Sequence, residues 1–195
     1  GGGNQVISRL RVFNSNVGSG TPKNVYVNNL QACLAVPGCP SNITLNAGIG
    51  TCNAIATFPT PTSIDNCTSS PVVTQIAGLA SGATFPVGVT TNTFRATDGA
   101  GNTATCSFTV TVIDNQAPTI TCPSNITVNN DPGLCSAVVT YSTPVGTDNC
   151  AGQTTVQTSG LASGATFPVG TTSNSFIVTD AAGNTASCSL TVTVN

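Results

Sequence analysis

The eight residues TCSFTVTV at 105–112 show the pattern from which the fold of this chain is predicted. In this stretch a cysteine, a phenylalanine and two valines alternate with serine and threonine, so the apolar side chains share one face. A period of two is typical of a β-strand that buries one face and exposes the other. The stretch SCSLTVTV at 187–194 alternates in the same way. The pattern therefore predicts two copies of one half-buried strand.

Longer stretches of the chain also occur twice. CPSNIT stands at 39–44 and at 122–127, and GLASGATFPVG stands at 78–88 and at 160–170. The cysteines keep the same order in both copies: Cys39, Cys52, Cys67 and Cys106, then Cys122, Cys135, Cys150 and Cys188. Repetition of this kind indicates tandem structural units, each of which is one folded module.

The modules have the composition of β-structure. They are rich in Val and Thr, which favour strands. Clusters of Gly, Asn, Asp and Pro separate the apolar runs, and turn signals at intervals of about 8 to 12 residues are typical of β-sandwiches. We predict an all-β fold of two tandem antiparallel β-sandwiches behind a strand-forming extension. The predicted boundaries are 1–30 for the extension, 31–116 for module one and 117–195 for module two.

Composition excludes several classes of function. The 195 residues contain no His, Glu, Met or Trp, and 5% are charged, against about 25% in an ordinary soluble domain. Without His there is no imidazole base, no Ser/His or Cys/His nucleophile and no His metal ligand. Four basic residues and a net charge of -2 cannot neutralise a run of phosphates, so we expect no nucleic-acid partner. No apolar run is long enough to predict a membrane-spanning helix.

The nine cysteines indicate an extracellular or cell-surface protein. They lack the close CxxC spacing of zinc and thioredoxin-type sites, which favours a disulfide framework formed in an oxidising compartment. Small modules bury little surface, so disulfides would supply part of their stability. The chain starts without Met or a leader, and we expect a mature or excised segment.

The order of short motifs resembles a known family. Each copy has Cys-Pro, Gly-x-Cys, Asp-Asn-Cys, Thr-Phe-Pro-Val-Gly and Thr-Asp-x-Ala-Gly-Asn-Thr-Ala-x-Cys, followed by alternating Thr and Val; in module two these include Cys122, Cys135, 148–150, 166–170 and 179–188. This order resembles the hyalin repeat, or HYR domain, over about 36–195. The resemblance implies an immunoglobulin-like sandwich, used in tandem in extracellular adhesion and matrix proteins. It implies no catalytic residues.

Within an immunoglobulin-like sandwich, we expect the first cysteine of a module to pair with the third and the second with the fourth. The first and third cysteines would lie towards one end of the sandwich. The second and fourth cysteines would each stand at the start of a strand, on its inward face. The two other connectivities stay open. The expected pairs are Cys39–Cys67, Cys52–Cys106, Cys122–Cys150 and Cys135–Cys188.

Cys33 has no counterpart and makes the cysteine count odd. It would be a buried free thiol or part of a local rearrangement with Cys39. Alternatively it would form an intermolecular disulfide between neighbouring subunits.

The extension at 1–30 contains strand-like residues and three of the four basic residues. One interpretation is that its strands complete a sandwich of this chain. The other is that they add to a sheet edge of a neighbouring subunit, which would build a filament by repeated head-to-tail contacts. The predicted subunit contacts are Val6, Ile7, Leu10, Val12 and Phe13.

Three Asn-x-Thr sequons predict N-glycosylation in an organism that modifies them, at Asn42, Asn66 and Asn125. The alternative is that CPSNIT marks the start of a strand and carries no sugar.

The six acidic residues are all Asp and lie at turns and linkers. We expect their side chains to bond nearby backbone amides, with no cofactor bound. The functional alternative is a calcium ion at the module junction, with Asp114, Asp98 and Asp180 as candidate ligands.

Three function classes remain. The first is a non-enzymatic structural or adhesive protein, a subunit or segment of a surface fibril or repeat-array adhesin whose main partner is itself. The second is a carbohydrate- or receptor-binding module of a larger secreted protein, although two Tyr and no Trp supply few platforms for sugar rings. The third is an enzyme, which the turn positions of the Asp residues disfavour.

Overall fold

A computed structural model describes residues 38–65 and 71–195, and within these ranges it contains strands and loops and no helix. The predicted all-β fold is therefore confirmed. The strands of the first repeat are β1 (Ile43–Asn46), β2 (Asn53–Ile55), β3 (Val72–Ala77), β4 (Thr84–Pro86), β5 (Gly88–Thr97) and β6 (Thr103–Ile113). Those of the second are β7 (Ile126–Val128), β8 (Ser136–Val138), β9 (Thr154–Ser159), β10 (Thr166–Pro168), β11 (Gly170–Thr179) and β12 (Thr185–Val194).

The two repeats build the same pair of sheets. In the first, a four-stranded sheet has the order β1-β6-β5-β3, and β2 pairs with β4 in a second sheet. In the second, the corresponding orders are β7-β12-β11-β9 and β10-β8. The long hairpins β5–β6 and β11–β12 dominate each four-stranded sheet, with ten residue pairs in register in each. Each module is a small sandwich whose inner faces carry the core.

The first and last strands of each module run parallel to each other. Ile43 pairs with Val110 in the first module, and Ile126 pairs with Val192 in the second. All other strand pairs are antiparallel, as expected. The alternation of apolar residues sets which face of a strand is buried but carries no information about direction, so the sequence did not predict this exception.

The alternating stretches supply the core of each sandwich. In β6 and β12 the inward positions after the cysteine are all buried, as the period of two predicts. In the first module Phe58 packs edge-on against three other rings, with centroids 4.9 to 6.3 Å apart. Tyr141 occupies the corresponding place in the second module, and its hydroxyl donates to the carbonyl of Leu161 at 2.6 Å. The two cores are thus variations of one arrangement.

A buried asparagine holds a glycine turn in each module. Asn92 and Asn174 are fully buried, and their Oδ1 atoms accept the amides of Leu79 at 2.9 Å and Leu161 at 2.7 Å. The preceding Gly78 and Gly160 have φ of 88° and 85°, in the left-handed region that favours glycine. A Cβ at either glycine would collide with the asparagine side chain.

The predicted extension at 1–30, its contact residues and Cys33 lie outside the described residues. Cys67 and the sequon asparagine Asn66 also lie outside them.

Candidate functional site

One disulfide in each module joins the first cysteine to the fourth. Cys39 bonds Cys106 with their Cα atoms 5.8 Å apart, and Cys122 bonds Cys188 at 5.6 Å. The expected pairing of first with third and second with fourth is therefore wrong for these cysteines. The physical reason is the parallel pairing of the first and last strands, which brings the Cys-Pro segment before the first strand beside the fourth cysteine.

A third disulfide crosses from one module to the other. Cys52, the second cysteine of the first module, bonds Cys150, the third cysteine of the second, with Cα atoms 5.0 Å apart. The expected Cys52–Cys106 and Cys122–Cys150 bonds are thus replaced. Cys135 is exposed and unpaired, so the expected Cys135–Cys188 bond is absent. The covalent link makes the module junction the candidate functional site.

Linker residue Gln116 clamps the loop that precedes Cys52. Its Nε2 donates to the carbonyl of Gly48 at 2.9 Å, and its Oε1 accepts the amide of Gly50 at 2.7 Å. From the second module, Nδ2 of Asn149 donates to the carbonyl of Thr51 at 3.0 Å. Three hydrogen bonds therefore surround the intermodule disulfide, and each uses a backbone group of the first module's loop.

The linker is also held from the side of the second module. Nδ2 of Asn184 donates to the carbonyls of Asp114 at 3.2 Å and Gln116 at 3.1 Å. The same amide donates to Oδ2 of Asp180 at 2.8 Å, which fixes its orientation. The Thr-Asp turn of the second module thus positions the side chain that binds the linker.

Asp98 and Asp180 act as turn residues, as we expected for the Asp residues in general. Oδ1 of Asp98 accepts the amides of Ala100 and Asn102 at 2.9 and 2.8 Å. The side-chain amide of Asn102 is the main cause that lowers the pKa of Asp98, burial opposes it, and the two backbone amides add to the lowering. Ionised Asp98 therefore stabilises the fold above the ordinary carboxyl pKa of 3.8, and this contribution is lost as the pH falls through the lowered value.

Burial also raises the pKa of Asp180, where it is the largest single influence. Hydrogen bonds from the side chain and backbone of Asn184 and from the Gly183 and Ala182 amides together outweigh it, so the pKa is lowered. The stability linked to Asp180 therefore has the same pH dependence as that of Asp98.

The proposed calcium ligands are not gathered into one site. Among the described residues, the carboxylates of Asp114 and Asp148 lie within 4.8 Å of each other and of the Cys150 sulfur, and Asp98 and Asp180 are outside this group. Asp114 is buried, and its Oδ2 has no hydrogen-bond donor. The sulfur belongs to a disulfide, which leaves two carboxylates, whereas calcium takes about six to eight oxygens. These residues alone do not fit a calcium site.

Two of the three sequon asparagines have a structural role. Oδ1 of Asn42 accepts the amide of Thr109 at 2.9 Å, and Oδ1 of Asn125 accepts the amide of Thr191 at 2.9 Å. Each bond ties the start of the first strand to the last strand, consistent with the strand-start interpretation of CPSNIT. Both side chains are exposed, and glycosylation of them stays a prediction.

A shallow recess lies beside the junction. Its volume is about 200 Å³, and it is lined by Gln116, Ala117, Thr119, Thr147, Asp148 and Asn149. No aromatic side chain lines it, so the recess lacks a platform on which a sugar ring could stack. In the part of the chain that the structure describes, no helix has the length and hydropathy required to cross a membrane.

Comparison with known proteins identifies both repeats. The model of the HYR domain family matches residues 35–112 and again 113–194. Hyalin of Strongylocentrotus purpuratus is 38% identical over 161 residues, which are 80% of this chain and 13% of that protein. Hyalin of Lytechinus variegatus is 34% identical over 174 residues, 88% of this chain and 32% of that protein. The serine-rich adhesin for platelets of Staphylococcus aureus is 29% identical over 154 residues, 72% of this chain and 6% of the adhesin.

This chain thus spans about a third or less of each relative. The family, the relatives and the disulfide-linked modules agree with the extracellular or cell-surface location that the cysteines predicted. The motif order, the duplicated sandwich and the family match lead to one conclusion: the chain belongs to the HYR domain family, of which it carries two tandem copies.

Proposed function

We propose that this chain is a non-enzymatic structural or adhesive protein, a subunit or segment of a surface fibril or repeat-array adhesin that assembles by β-strand addition. The observation that carries the proposal is an open edge on each four-stranded sheet. Edge strands β3 and β9 have a partner on one side only among the described residues. Val72 on β3 is 65% exposed and Val156 on β9 is 58% exposed. A six-residue edge with exposed apolar side chains is a template for another strand.

The strand that would add is the N-terminal extension. Its residues Val6, Ile7, Leu10, Val12 and Phe13 are the proposed contacts, by sequence alone. Arg9, Arg11 and Lys23 make the extension basic, whereas all six acids lie after residue 60, which gives a modest electrostatic preference for contact between copies. Repetition of one head-to-tail contact generates a filament.

An adhesive role draws support from the relatives and from the junction. One relative is named as an adhesin for platelets, and modules joined by a disulfide and several hydrogen bonds suit a protein that spans distance at a surface. A non-enzymatic role draws support from Asp98 and Asp180, whose carboxylates are engaged with their own turns. Surface glycans or receptors would be partners of such a protein.

The alternative function, a carbohydrate- or receptor-binding module of a larger secreted protein, has weaker support. The recess at the junction is shallow and carries no aromatic side chain, which sugar-binding sites commonly use.

Electron microscopy of native material, with and without residues 1–30, tests the assembly proposal. We expect filaments from the full chain and none from the shortened one, because the strand that adds has been removed. A chain lacking only residues 1–4 is the matched control and should still form filaments, since it retains the apolar contacts. Filaments that persist without residues 1–30, or their absence from every sample, would refute strand addition by this segment.

A further inference from the structure

The second module repeats the loop that the first module uses at the junction. In the first module the amide of Gly48 donates to the carbonyl of Asn53 at 2.8 Å. In the second module the amide of Asp131 donates to the carbonyl of Ser136 at 2.7 Å. The glycine at the tip of the loop has a φ of 71° in the first and 76° in the second. The two loops therefore share this hydrogen bond and a left-handed glycine at the same position.

Cys52 and Cys135 occupy equivalent places at the end of this loop. The carbonyl of Cys52 accepts the amide of Val87 at 3.2 Å, and the carbonyl of Cys135 accepts the amide of Val169 at 3.1 Å. Each cysteine directly precedes the short strand of the two-stranded sheet. Cys52 is joined to the Asp-Asn-Cys loop of the next module through Cys150, whereas Cys135 is exposed and unpaired.

The surface around Cys135 is exposed and partly apolar. Leu134 is 54% exposed, and Val138, three residues after the cysteine, is 60% exposed. In the first module the equivalent loop is contacted through its backbone by Gln116 and Asn149, and its cysteine is bonded to Cys150, while Ile55, which corresponds to Val138, stays 67% exposed.

We propose that the loop at 131–135 is a docking surface for a further HYR module in tandem, and that Cys135 forms a disulfide with the Asp-Asn-Cys loop of that module. The occupant is argued from the first junction, where the equivalent surface binds this loop. The intermodule bond would then repeat along an array, from the second cysteine of one module to the third cysteine of the next. This inference is independent of strand addition, because it concerns the loop at 131–135 and not residues 1–30.

The two loops differ in side chains, but the backbone groups that form the hydrogen bonds at the first junction are present in both. Asp131 replaces Gly48 and Leu134 replaces Thr51, but the first junction uses the backbone carbonyls of Gly48 and Thr51 and the amide of Gly50. The carbonyl of Leu134 already accepts Nδ2 of Asn130 at 2.6 Å. A carbonyl has two lone pairs and can accept a second donor.

The covalent step is an oxidation of two thiols. Cys135 and the incoming cysteine each lose a proton, an S–S bond forms, and two electrons pass to a disulfide-bearing oxidant of the secretory or extracellular compartment. That oxidant is reduced to two thiols by thiol–disulfide exchange.

The test appends a copy of residues 114–195 after Asn195. In the copy, Ala151→Ser gives the Asp-Asn-Cys peptide a distinct mass, and Cys135→Ser removes the equivalent cysteine, so that any Cys135 peptide comes from the second module. The oxidised three-module chain is alkylated without reduction, digested at acid pH and mapped by mass spectrometry. We expect the Cys135 peptide to be linked to the labelled Asp-Asn-Cys peptide and the alkylation of Cys135, present in the two-module chain, to be lost.

Cys135→Ser in the second module of this three-module chain is the matched variant, and it should make the cysteine of the labelled loop available to alkylation. Cys135 that remains alkylated in the parent three-module chain would refute the proposal. So would a disulfide-linked dimer of the two-module chain through Cys135, because the occupant would then be a second copy instead of a module in tandem.

Discussion

Asn92 and Asn174 hold equivalent turns through buried side chains, although each leaves its own Nδ2 without a partner. Their Oδ1 atoms also accept the side-chain amides of Gln75 at 3.2 Å and Gln157 at 3.4 Å. Each asparagine therefore stabilises the fold through its Oδ1 atom, which accepts a hydrogen bond from a backbone amide that would otherwise have no acceptor.

Asn174→Ala should destabilise the second module by about 1 to 3 kcal/mol, because the Leu161 amide loses its acceptor. Urea unfolding followed by the fluorescence of Tyr141 measures this change, since Tyr141 is bonded to the same segment. Ser173→Ala, at an exposed neighbour on the same strand, is the control and should change the free energy of unfolding by less than about 0.5 kcal/mol. Equal effects of the two variants would contradict the assigned role.

At the scale of elements, the short first strand of each module is held at one edge of a sheet by several different bonds. In the second module these are the parallel ladder of β7 with β12, the Asn125 side chain and the Cys122–Cys188 disulfide. A three-residue strand pairs too few backbone groups to be stable alone, so the disulfide matters most here.

Cys122→Ser combined with Cys188→Ser should lower the free energy of unfolding of the second module by about 2 to 5 kcal/mol, because the unfolded chain gains the entropy of an open loop. Guanidinium unfolding measures the loss. Cys135→Ser, which removes an exposed thiol that forms no bond, should leave the stability nearly unchanged. If the double variant behaves like this control, the first and fourth cysteines are not paired in solution.

At the scale of the whole molecule, the junction makes the first module's loop dependent on the second module. The amide of Gly50 reports this dependence, because its acceptor is Oε1 of Gln116 in the linker. Gln116 is held in turn by Asn184 of the second module.

Cys52→Ser combined with Cys150→Ser should raise the hydrogen-exchange rate of Gly50 by about tenfold or more, since a cross-link contributes about 2 to 4 kcal/mol and each 1.4 kcal/mol is tenfold. Amides at the centres of β5 and β11 should keep their protection, because each module retains its own disulfide. Cys135→Ser is again the matched control. Loss of protection throughout either sheet would show that the bond supports the fold of a module and not only the junction.

The strand content, the duplication and the buried faces could be predicted from the amino-acid sequence alone. The two-residue alternation in TCSFTVTV and SCSLTVTV indicates which side chains face the core. Burial of alternate residues is a local property of a strand, so it can be recognised without the tertiary structure. The cysteine count likewise indicated the oxidising compartment, because that conclusion needs composition and not geometry.

The pairing of the cysteines, in contrast, depends on how the strands and modules are arranged in space. Cys52 and Cys135 stand in matching sequence and matching loops, yet Cys52 is bonded to a residue 98 positions away and Cys135 is unpaired. Likewise, the parallel pairing of first and last strands put Cys39 beside Cys106, against the expectation from the immunoglobulin-like pattern. A disulfide requires Cα atoms within about 7 Å, and that proximity depends on strand order and on the neighbouring module, which no local pattern of residues encodes.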